Sequence, residues 1–335
     1  MSHLGIFMAI AFLLSFVLVR VLISQFQQRL VDLPNERSSH SRPTPRGGGL
    51  GFVLSFYAVL GLAAVTGSMS VTGVWFGLIP LVIIGFLDDW KNLPASVRYL
   101  VQLSVSGIVV ADLGSFPLFP GQSDSLILEA MALILTTIGM TALINFYNFM
   151  DGLDGLVAGT AAIQLSFLAL WGGNPALWLL VASLLGFLIW NWQPAKIFMG
   201  DSGSTFLGAA IAIAILSEAK SANFSWSLLT LTFPIIFDTI YTLLRRLLRR
   251  ENIFQAHRSH LFQRLHQAGW NHSQVSGLYM VACIGLCLNL ESPLGAWAGY
   301  LNVIGAALCL VLTERYLQRK SPETLANQPV NSLRL

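Results

Sequence analysis

The stretch Asn145–Leu156 concentrates residues that could do chemistry. Two amides and two carboxylates follow one another at intervals of three positions, as Asn145, Asn148, Asp151 and Asp154. Residues three apart are neighbours on a helix face, but at about 3.6 residues per turn the first and last of the four lie about half a turn apart. Unless Gly152 and Gly155 break the helix, the stretch should contact at least two parts of a ligand, and its carboxylates suit a hard cation. The alternative is a polar helix end that happens to carry acids.

Further acids occur elsewhere at predicted helix ends. Asp88 and Asp89 are adjacent and precede Lys91; two ionised neighbours repel each other unless a cation or a shared proton neutralises one. Adjacent side chains at a helix end point in different directions, so one acid could act as an electrostatic partner and the other as a base. The alternative is that both acids simply lie at a solvated helix end. Asp201 lies between glycines at a helix start, where it could cap the helix or face a metal, and we favour the metal. Asp238 falls inside an apolar window, which predicts either a structural partner or a place at the floor of a site.

A basic, glycine-rich segment could contact an anion. Arg42 and Arg46 enclose a Pro-Thr-Pro turn, and four of the next five residues are glycine. Such a backbone can approach a ligand closely, and exposed amides at the start of the following helix would help to hold an anion. The alternative is a tight turn that anchors positive charge on the cytoplasmic side.

A histidine-containing loop follows Glu251. His257, Arg258 and His260 could donate hydrogen bonds to a pyrophosphate, whereas hard Mg²⁺ prefers oxygen ligands. The alternative is an amphipathic loop that lies on anionic headgroups. Only that interfacial role is expected for two further histidines of this region, His266 and His272.

The elements that must position these residues are membrane-spanning helices. The chain has 335 residues, of which 55% are hydrophobic and 10% charged, and its mean hydropathy is +0.67. This balance excludes a soluble domain and is typical of a polytopic membrane protein. The three cysteines lie in apolar runs and show neither a disulfide framework nor a metal-binding spacing. The first apolar run is too long for a signal peptide and is predicted to span the membrane.

Apolar windows of the length that a bilayer requires can be marked eleven times. They lie near 4–23, 48–66, 71–87, 98–115, 126–146, 155–172, 175–192, 204–219, 226–246, 275–290 and 294–314. The close spacing of the sixth to eighth windows makes the count ten or eleven. With the N-terminus outside, 18 of the 19 Lys and Arg residues fall on the cytoplasmic side and only Lys220 faces out.

The same orientation predicts cytoplasmic helix ends for five acids, Asp88, Asp89, Asp151, Asp154 and Asp201. We therefore predict an all-α polytopic membrane protein with a cytoplasmic C-terminus. A single integral-membrane catalytic domain should cover 1–320, and 321–335 should form a short, disordered cytoplasmic tail.

The motifs together resemble those of the polyprenyl-phosphate N-acetylhexosamine-1-phosphate transferases, glycosyltransferase family 4. They follow the family's order across nearly the whole chain: Arg42-Pro-Thr-Pro-Arg46, Asp88-Asp89, Asn145 to Gly155, Phe198-Met-Gly-Asp201, Pro234 with Asp238, and His257-Arg-Ser-His260. The resemblance implies a multi-pass enzyme of the bacterial inner membrane whose active site faces the cytoplasm. It implies Mg²⁺-dependent transfer, with Mn²⁺ as the alternative ion, from a UDP-N-acetylhexosamine to undecaprenyl phosphate, with UMP as the second product. No nucleic-acid partner is expected, and a homodimer is left open.

The resemblance also implies roles for individual residues. Asp201 is similar to the principal magnesium ligand, and Asn148 to an asparagine near the metal and phosphates. The predicted catalytic residues are Asp88, Asp89, His257 and His260, with one acid of the pair as the base and direct attack favoured over a covalent intermediate. The predicted substrate-binding residues are Arg42, Arg46, Lys91, Asn145, Asn148, Asp151, Asp154 and Arg258.

One departure from the family narrows the substrate. The member that transfers phospho-N-acetylmuramoyl-pentapeptide carries three successive histidines in the last cytoplasmic loop, whereas this chain reads His257-Arg-Ser-His260. We therefore predict the branch that initiates O-antigen or other surface polysaccharides, with N-acetylglucosamine or a 6-deoxy N-acetylhexosamine as the sugar. Two other classes compete with this interpretation: an ion-coupled transporter, whose acids would lie near the membrane midplane, and a CDP-alcohol-type phosphotransferase, whose acids would share one continuous stretch.

Overall fold

A computed structural model describes residues 2–34, 39–40, 42–119, 122–219, 222–252, 255, 257–292 and 297–326. Its helices are α1 (Ser2–Phe26), α2 (Gly49–Val65), α3 (Ile79–Lys91), α4 (Ala95–Leu113), α5 (Leu126–Met150), α6 (Leu156–Gly172), α7 (Pro175–Asn191), α8 (Asp201–Ser217), α9 (Ala222–Leu229), α10 (Phe233–Leu248), α11 (Leu261–Gln267), α12 (His272–Leu290) and α13 (Trp297–Ala326). A 3₁₀ segment, Gly73–Leu78, leads into α3, and another, Thr230–Thr232, joins α9 to α10. A third, Gln122–Asp124, precedes α5.

The protein is an all-α polytopic membrane protein, as predicted. Seven helical segments in the described ranges are long and apolar enough to cross a membrane, namely His3–Phe26, Gly73–Lys91, Ala95–Leu113, Leu126–Met150, Phe224–Leu248, His272–Leu290 and Trp297–Lys320. Four shorter apolar helices are Gly49–Val65, Leu156–Gly172, Pro175–Asn191 and Asp201–Ser217. In the described residues each predicted window overlaps one or more of these helical segments, while the number of crossings and the sides of the termini stay predictions.

Two predictions from the sequence fall partly or wholly outside the described residues. Lys220, expected on the outer side, is one of them. The last helix continues to Ala326, past the expected domain boundary at 320, and 327–335 of the expected tail lie outside the described ranges. The division into domain and tail stays a prediction.

Helix α8 is the centre of the bundle. Every side chain from Ser202 to Leu216 is buried, as expected for a helix that is apolar all round. It contacts α2, α3, α4, α5, α6 and α9. Because α8 begins at Asp201, the helices packed around it bring their ends toward that carboxylate.

Two close backbone crossings bring α2 and α3 to the first turn of α8. A Cβ atom on Gly85 of α3 would lie only 2.5 Å from the backbone nitrogen of Ser202, and one on Gly49 of α2 would lie 2.5 Å from the Cα atom of Gly203. Small residues at such crossings let helix backbones approach closely. The Gly85 crossing lies one turn before Asp88 and thereby sets where the acidic end of α3 falls.

A short ribbon and a backbone ladder fix the loop before α2. Strand β1 (Val31–Asp32) pairs antiparallel with β2 (Thr44–Pro45). The N–H of Phe198 donates to the carbonyl of Pro45 at 2.8 Å, and the N–H of Gly48 donates to the carbonyl of Phe198 at 2.9 Å. These bonds hold the segment before α2 against the segment before α8.

Candidate active site

A polar pocket of about 310 Å³ opens where α5 ends and α8 begins. Its wall includes five aspartates and one arginine from separate parts of the chain: Asp32, Asp89, Asp151, Asp154, Asp201 and Arg46. Asn148, His40, Gln263 and His272 also line it. Helix ends thus bring together acids that lie far apart in the sequence, as the sequence predicted.

Asp89 caps helix α8. Both of its carboxylate oxygens accept the backbone N–H of Asp201, at 3.2 and 3.1 Å. A carboxylate here satisfies an otherwise unpaired donor and complements the positive end of the helix. Asp201, which could have been the cap itself, is therefore free to direct its side chain elsewhere.

The second acid of the pair, Asp88, is not among the residues that line the pocket. Its oxygens accept the N–H of Leu93 at 2.6 Å and Nη1 of Arg98 at 2.7 Å. The same Nη1 lies 3.3 Å from Oδ2 of Asp201, so Arg98 bridges two carboxylates. The adjacent acids do take different directions, and only Asp89 lines the pocket. Arg98 was not among the predicted site residues, although it lies in the first turn of α4, the helix that follows the acidic pair.

Asn148 holds the opposite side of Asp201. Its Nδ2 donates to Oδ1 of Asp201 at 2.9 Å and to Oγ of Ser204 at 3.0 Å. Asn145 lies elsewhere, because its Nδ2 donates to Oε1 of Gln102 at 2.7 Å and to the carbonyl of Thr141 within the bundle. Asn145 is not among the residues that line the pocket: its side chain faces α4 and links two helices, and its role in substrate binding stays a prediction.

The glycines of Asn145–Leu156 do interrupt the helix, since α5 ends at Met150 and α6 begins at Leu156. Asp151 follows the last turn of α5 and lines the pocket. Burial, together with the charges of Asp201, Asp89 and Asp154, raises the pKa of the Asp151 carboxyl well above its usual range. The break therefore turns the last two acids toward one crowded, negatively charged space.

Asp154 is held by His272, for which only an interfacial role was expected. Nδ1 of His272 lies 3.1 Å from Oδ1 of Asp154, and Nε2 of His272 lies 3.1 Å from the carbonyl of Ser39. The other carboxylate oxygen accepts the N–H of Ala195 at 3.0 Å. The expectation of a purely interfacial His272 is wrong, and no local signal at the start of α12 could have revealed a partner 118 positions away.

The glycine-rich segment uses two of its backbone N–H groups within the protein, and anion binding by its arginines stays a prediction. The N–H groups of Gly48 and Gly49 are used by the carbonyls of Phe198 and Met199, at 2.9 and 2.8 Å. These glycines instead permit close backbone packing. Arg46 alone of the segment's basic residues lines the pocket, where Nη2 donates to the carbonyl of Asp89 and Nε lies 3.9 Å from its Oδ1.

The histidine loop lies behind the pocket wall. His260 is buried, with Nδ1 at 3.3 Å from Oδ1 of Asp238, and its ring stacks on that of His257 at 5.0 Å. Burial, reinforced by His260, Arg246 and Arg245, lowers the pKa of His257 to about 4. His257 is therefore neutral at pH 7, and Asp238 has the structural partner that was one of its two predicted roles.

Comparison of the sequence with known proteins shows the family of the chain. Residues 71–218 match the family described as Glycosyl transferase family 4. The chain is 34% identical to a probable undecaprenyl-phosphate N-acetylglucosaminyl 1-phosphate transferase of Bacillus subtilis, with 82% of each chain covered. The chain belongs to the polyprenyl-phosphate N-acetylhexosamine-1-phosphate transferases.

Two other relatives of the chain have names that describe different transferred groups. A decaprenyl-phosphate N-acetylglucosaminephosphotransferase of Mycobacterium leprae is 30% identical over 77% of this chain and 75% of its own. A phospho-N-acetylmuramoyl-pentapeptide-transferase of Staphylococcus carnosus is 28% identical over 87% of this chain and 97% of its own. The transferase is thus an enzyme of polyprenyl-phosphate chemistry, and the predicted surface-polysaccharide branch stays a prediction.

The pocket of the transferase brings together only part of the predicted site. Six predicted residues line it: Arg46, Asp89, Asn148, Asp151, Asp154 and Asp201. Seven others do not: Arg42, Asp88, Lys91, Asn145, His257, Arg258 and His260. Direct contact of His257, Arg258 and His260 with a ligand stays a prediction. Six other lining residues with polar side chains had no assigned ligand role: Asp32, Ser39, His40, Asn191, Gln263 and His272.

The donor set around Asp201 fits a hard cation. In the described part of the chain no three His, Cys, Asp or Glu side chains already form a metal site, but the groups that face the pocket near Asp201 carry oxygen donors. Asn148 uses its nitrogen toward Asp201 and Ser204, so its amide oxygen can face a ligand. Mg²⁺ takes few protein ligands and completes its shell with water and substrate phosphates, which matches this sparse arrangement.

Proposed function

We propose that the protein transfers an N-acetylhexosamine-1-phosphate from a UDP-sugar to undecaprenyl phosphate, giving undecaprenyl-diphosphate-sugar and UMP. The observation that carries the proposal is the clustering of Asp89, Asp151 and Asp201 with Arg46 at one pocket. A pocket that must hold two phosphate-bearing substrates needs acids for a cation and a guanidinium for phosphate oxygens. Membership in the family supports the same reaction class.

A divalent cation, Mg²⁺ with Mn²⁺ as the alternative, is part of the proposal. Asp201 and Asn148 would hold it, with Asp151 close by. When bound, the cation would neutralise pyrophosphate oxygens and the charge that develops on the leaving UMP. The crowding of like charges around Asp151, which raises its pKa, supports a cation at this place because positive charge would relieve that repulsion.

The protein's own groups would bind and orient the reactants. An oxygen of the lipid phosphate attacks the β-phosphorus of the nucleotide sugar and forms the new P–O bond. The bond from that phosphorus to the bridging oxygen breaks, and its electron pair leaves with UMP. Asp89 is the acid of the adjacent pair that lines the pocket, so it would take the proton of a monoprotonated lipid phosphate. Asp88 would act by holding Arg98.

The cellular role and sidedness extend the proposal. The distribution of Lys and Arg supports a pocket on the cytoplasmic face of the bacterial inner membrane. The departure at His257-Arg-Ser-His260 from three successive histidines supports initiation of O-antigen or another surface polysaccharide. The proposed sugars are N-acetylglucosamine and 6-deoxy N-acetylhexosamines.

The competing classes lack comparable support. A transporter would place its acids near the midplane, whereas Asp89, Asp151 and Asp201 lie at helix ends or in a connection. A CDP-alcohol-type phosphotransferase would hold its acids in one stretch, whereas these come from three helix termini. Relatives of the chain are sugar-phosphate transferases.

The decisive experiment incubates the purified protein in detergent with undecaprenyl phosphate and each of a panel of UDP-sugars, with Mg²⁺, Mn²⁺ or a chelator. We expect UMP and a lipid-linked sugar diphosphate in equal amounts, only with a divalent ion. Product formation in the chelator would remove the metal from the proposal. Absence of product with every sugar, combined with solute uptake by proteoliposomes, would favour the transporter.

A further inference from the structure

The carboxylate of Asp238 holds the start of α11, and it also accepts the hydroxyl of Thr242 in its own helix at 3.1 Å. Its Oδ1 accepts the N–H of Leu261 at 2.8 Å, and its Oδ2 accepts the N–H of Phe262 at 3.1 Å. Tyr279 donates its hydroxyl to Oδ2 at 2.6 Å. Asp238 is 2% exposed, and a buried carboxylate is stable only when its oxygens are paired in this way.

These bonds determine where α11 lies. The helix has seven residues, too few to be stable alone, and its first N–H groups have no partner within the helix. A buried anion supplied by α10 satisfies two of them. The imidazole of His260, at 3.3 Å from Oδ1, completes this cluster behind the pocket. At the far side, Arg264 pairs with Glu314 at 2.5 and 3.1 Å.

The helix presents one side chain to the pocket. Gln263 lines the cavity, and its Oε1 accepts the N–H of His260 at 3.3 Å. A Cβ atom on Gly152 would lie 3.7 Å from Nε2 of Gln263 and 3.0 Å from the ring of Phe262. The amide nitrogen of Gln263 therefore lies beside the corner that follows Asp151. Because Oε1 is already bound, Nε2 is the donor that the residue can offer to a ligand.

We infer that Gln263 contacts the nucleotide-sugar donor through Nε2, and that Asp238 is the positioning residue that holds Gln263 in the pocket. The acceptor is an oxygen of the donor, either on the pyrophosphate or on the N-acetyl group. His260 acts with Asp238 and not on the ligand. The inference rests on the proposed function, because it assigns a contact within the same pocket.

Kinetics of four variants test this chain of contacts. Gln263→Ala should raise KM for the UDP-sugar about tenfold with little change in kcat, as expected for one lost hydrogen bond to a ligand. Asp238→Asn should raise the same KM at least as much, because the side-chain NH₂ group of the new asparagine cannot accept a hydrogen bond from the backbone N–H groups at the start of α11. In the double variant the two effects should not multiply, since Asp238 acts through Gln263. Asp112→Asn, the same change at an exposed carboxylate of α4, is the control.

Competition by UDP separates the two acceptors. If the bond goes to the pyrophosphate, Gln263→Ala should weaken inhibition by UDP about as much as it raises KM for the UDP-sugar. If it goes to the N-acetyl group, inhibition by UDP should be unchanged. An unchanged KM in Gln263→Ala, or effects of Asp238→Asn and Gln263→Ala that multiply fully, would overturn the inference.

Hydrogen exchange tests the positioning without any need for activity. Amides of peptides that cover Leu261 and Phe262 should exchange at least about tenfold faster in Asp238→Asn than in Asp112→Asn. Tyr279→Phe removes one donor to the same carboxylate and should shift exchange and KM in the same direction, which covers the case that Asp238→Asn does not fold. Unchanged exchange in both variants would refute the positioning role. A wild-type protein that is inactive with every UDP-sugar would instead refute the proposed function.

Discussion

Both carboxylate oxygens of Asp89 lie within 3.2 Å of the backbone nitrogen of Asp201. This cap ties the end of α3 to the start of α8, the buried helix at the centre of the bundle. The Asp201 side chain lies between two donors: Nη1 of Arg98 is 3.3 Å from its Oδ2, and Nδ2 of Asn148 is 2.9 Å from its Oδ1. Two acids 112 positions apart thus have different tasks at one helix terminus.

Substitution of the two acids should separate these tasks. We expect Asp201→Asn to lower kcat by at least about 100-fold, because a charged group at the reacting phosphates is lost, and to raise the Mg²⁺ concentration for half-maximal rate. Asp89→Asn should lower kcat similarly and also lower the thermal unfolding temperature, since the cap of α8 is weakened. Release of UMP over a Mg²⁺ titration and a melting curve in detergent measure both. Wild-type activity of Asp201→Asn would contradict the metal assignment.

The crossing of α3 and α8 makes Gly85 intolerant of a side chain. A Cβ atom there would lie 2.5 Å from the backbone nitrogen of Ser202, so Gly85→Ala should destabilise the protein by about 1–3 kcal/mol through overpacking. Gly61→Ala is the matched control, because nothing lies within 4 Å of its added methyl group and alanine favours a helix interior by about 0.5–1 kcal/mol. Thermal unfolding in detergent should shift in opposite directions. Equal shifts would argue against the close crossing.

The two asparagines of α5 should respond differently to truncation. Asn145→Ala removes bonds to Gln102 and Thr141 inside the bundle and should cost about 1–3 kcal/mol of stability while KM for the UDP-sugar stays unchanged. Asn148→Ala removes bonds that are only partly buried, so it should cost less stability than Asn145→Ala but lower kcat and weaken the Mg²⁺ response. Parallel unfolding and steady-state kinetics make the comparison. A KM effect confined to Asn145→Ala would reverse the placement of the two side chains.

His257 predicts how stability depends on pH. Its pKa in the folded protein is lowered to about 4, below about 6.5 in an unfolded chain, so the unfolded state binds more protons between these values. The contribution of His257 to stability is thus fully present above about pH 6.5 and is lost as pH falls toward 4. The drop in unfolding temperature between pH 7.5 and 5 should be smaller in His257→Gln. An equal drop in both proteins would show that His257 does not titrate in this way.

The helices could be predicted from sequence because length and apolarity are local properties. A run of about 20 apolar residues can satisfy its backbone in a membrane only as a helix, and all eleven predicted windows overlap helical segments in the described residues. The prediction that acids collect at helix ends succeeded for the same reason, since charges such as Asp89, Asp151 and Asp201 are costly within a span. The family could be recognised because its motifs combine polar residues with turn-forming glycines.

The direction of each side chain could not be predicted in this way. The spacing along α5 does not distinguish Asn145 from Asn148. Packing decides: Asn145 faces α4 inside the bundle, and Asn148 faces Asp201 at the pocket. The same holds for Gly48 and Gly49 of the glycine-rich segment, whose N–H groups donate to the carbonyls of Phe198 and Met199.

The sequence alone determined the fold class, the positions of the helices, the gathering of acids at their ends and the family. The tertiary structure decided which groups meet: Asp89 and not Asp88 at the pocket, His272 beside Asp154, and Gln263 at the wall while His260 pairs with Asp238. Local patterns predict the fold class and the positions of the helices, because they reflect the preference of each segment for lipid or water. Which side chains meet depends on contacts between residues up to 233 positions apart, and only the packing of the helices around α8 determines those contacts.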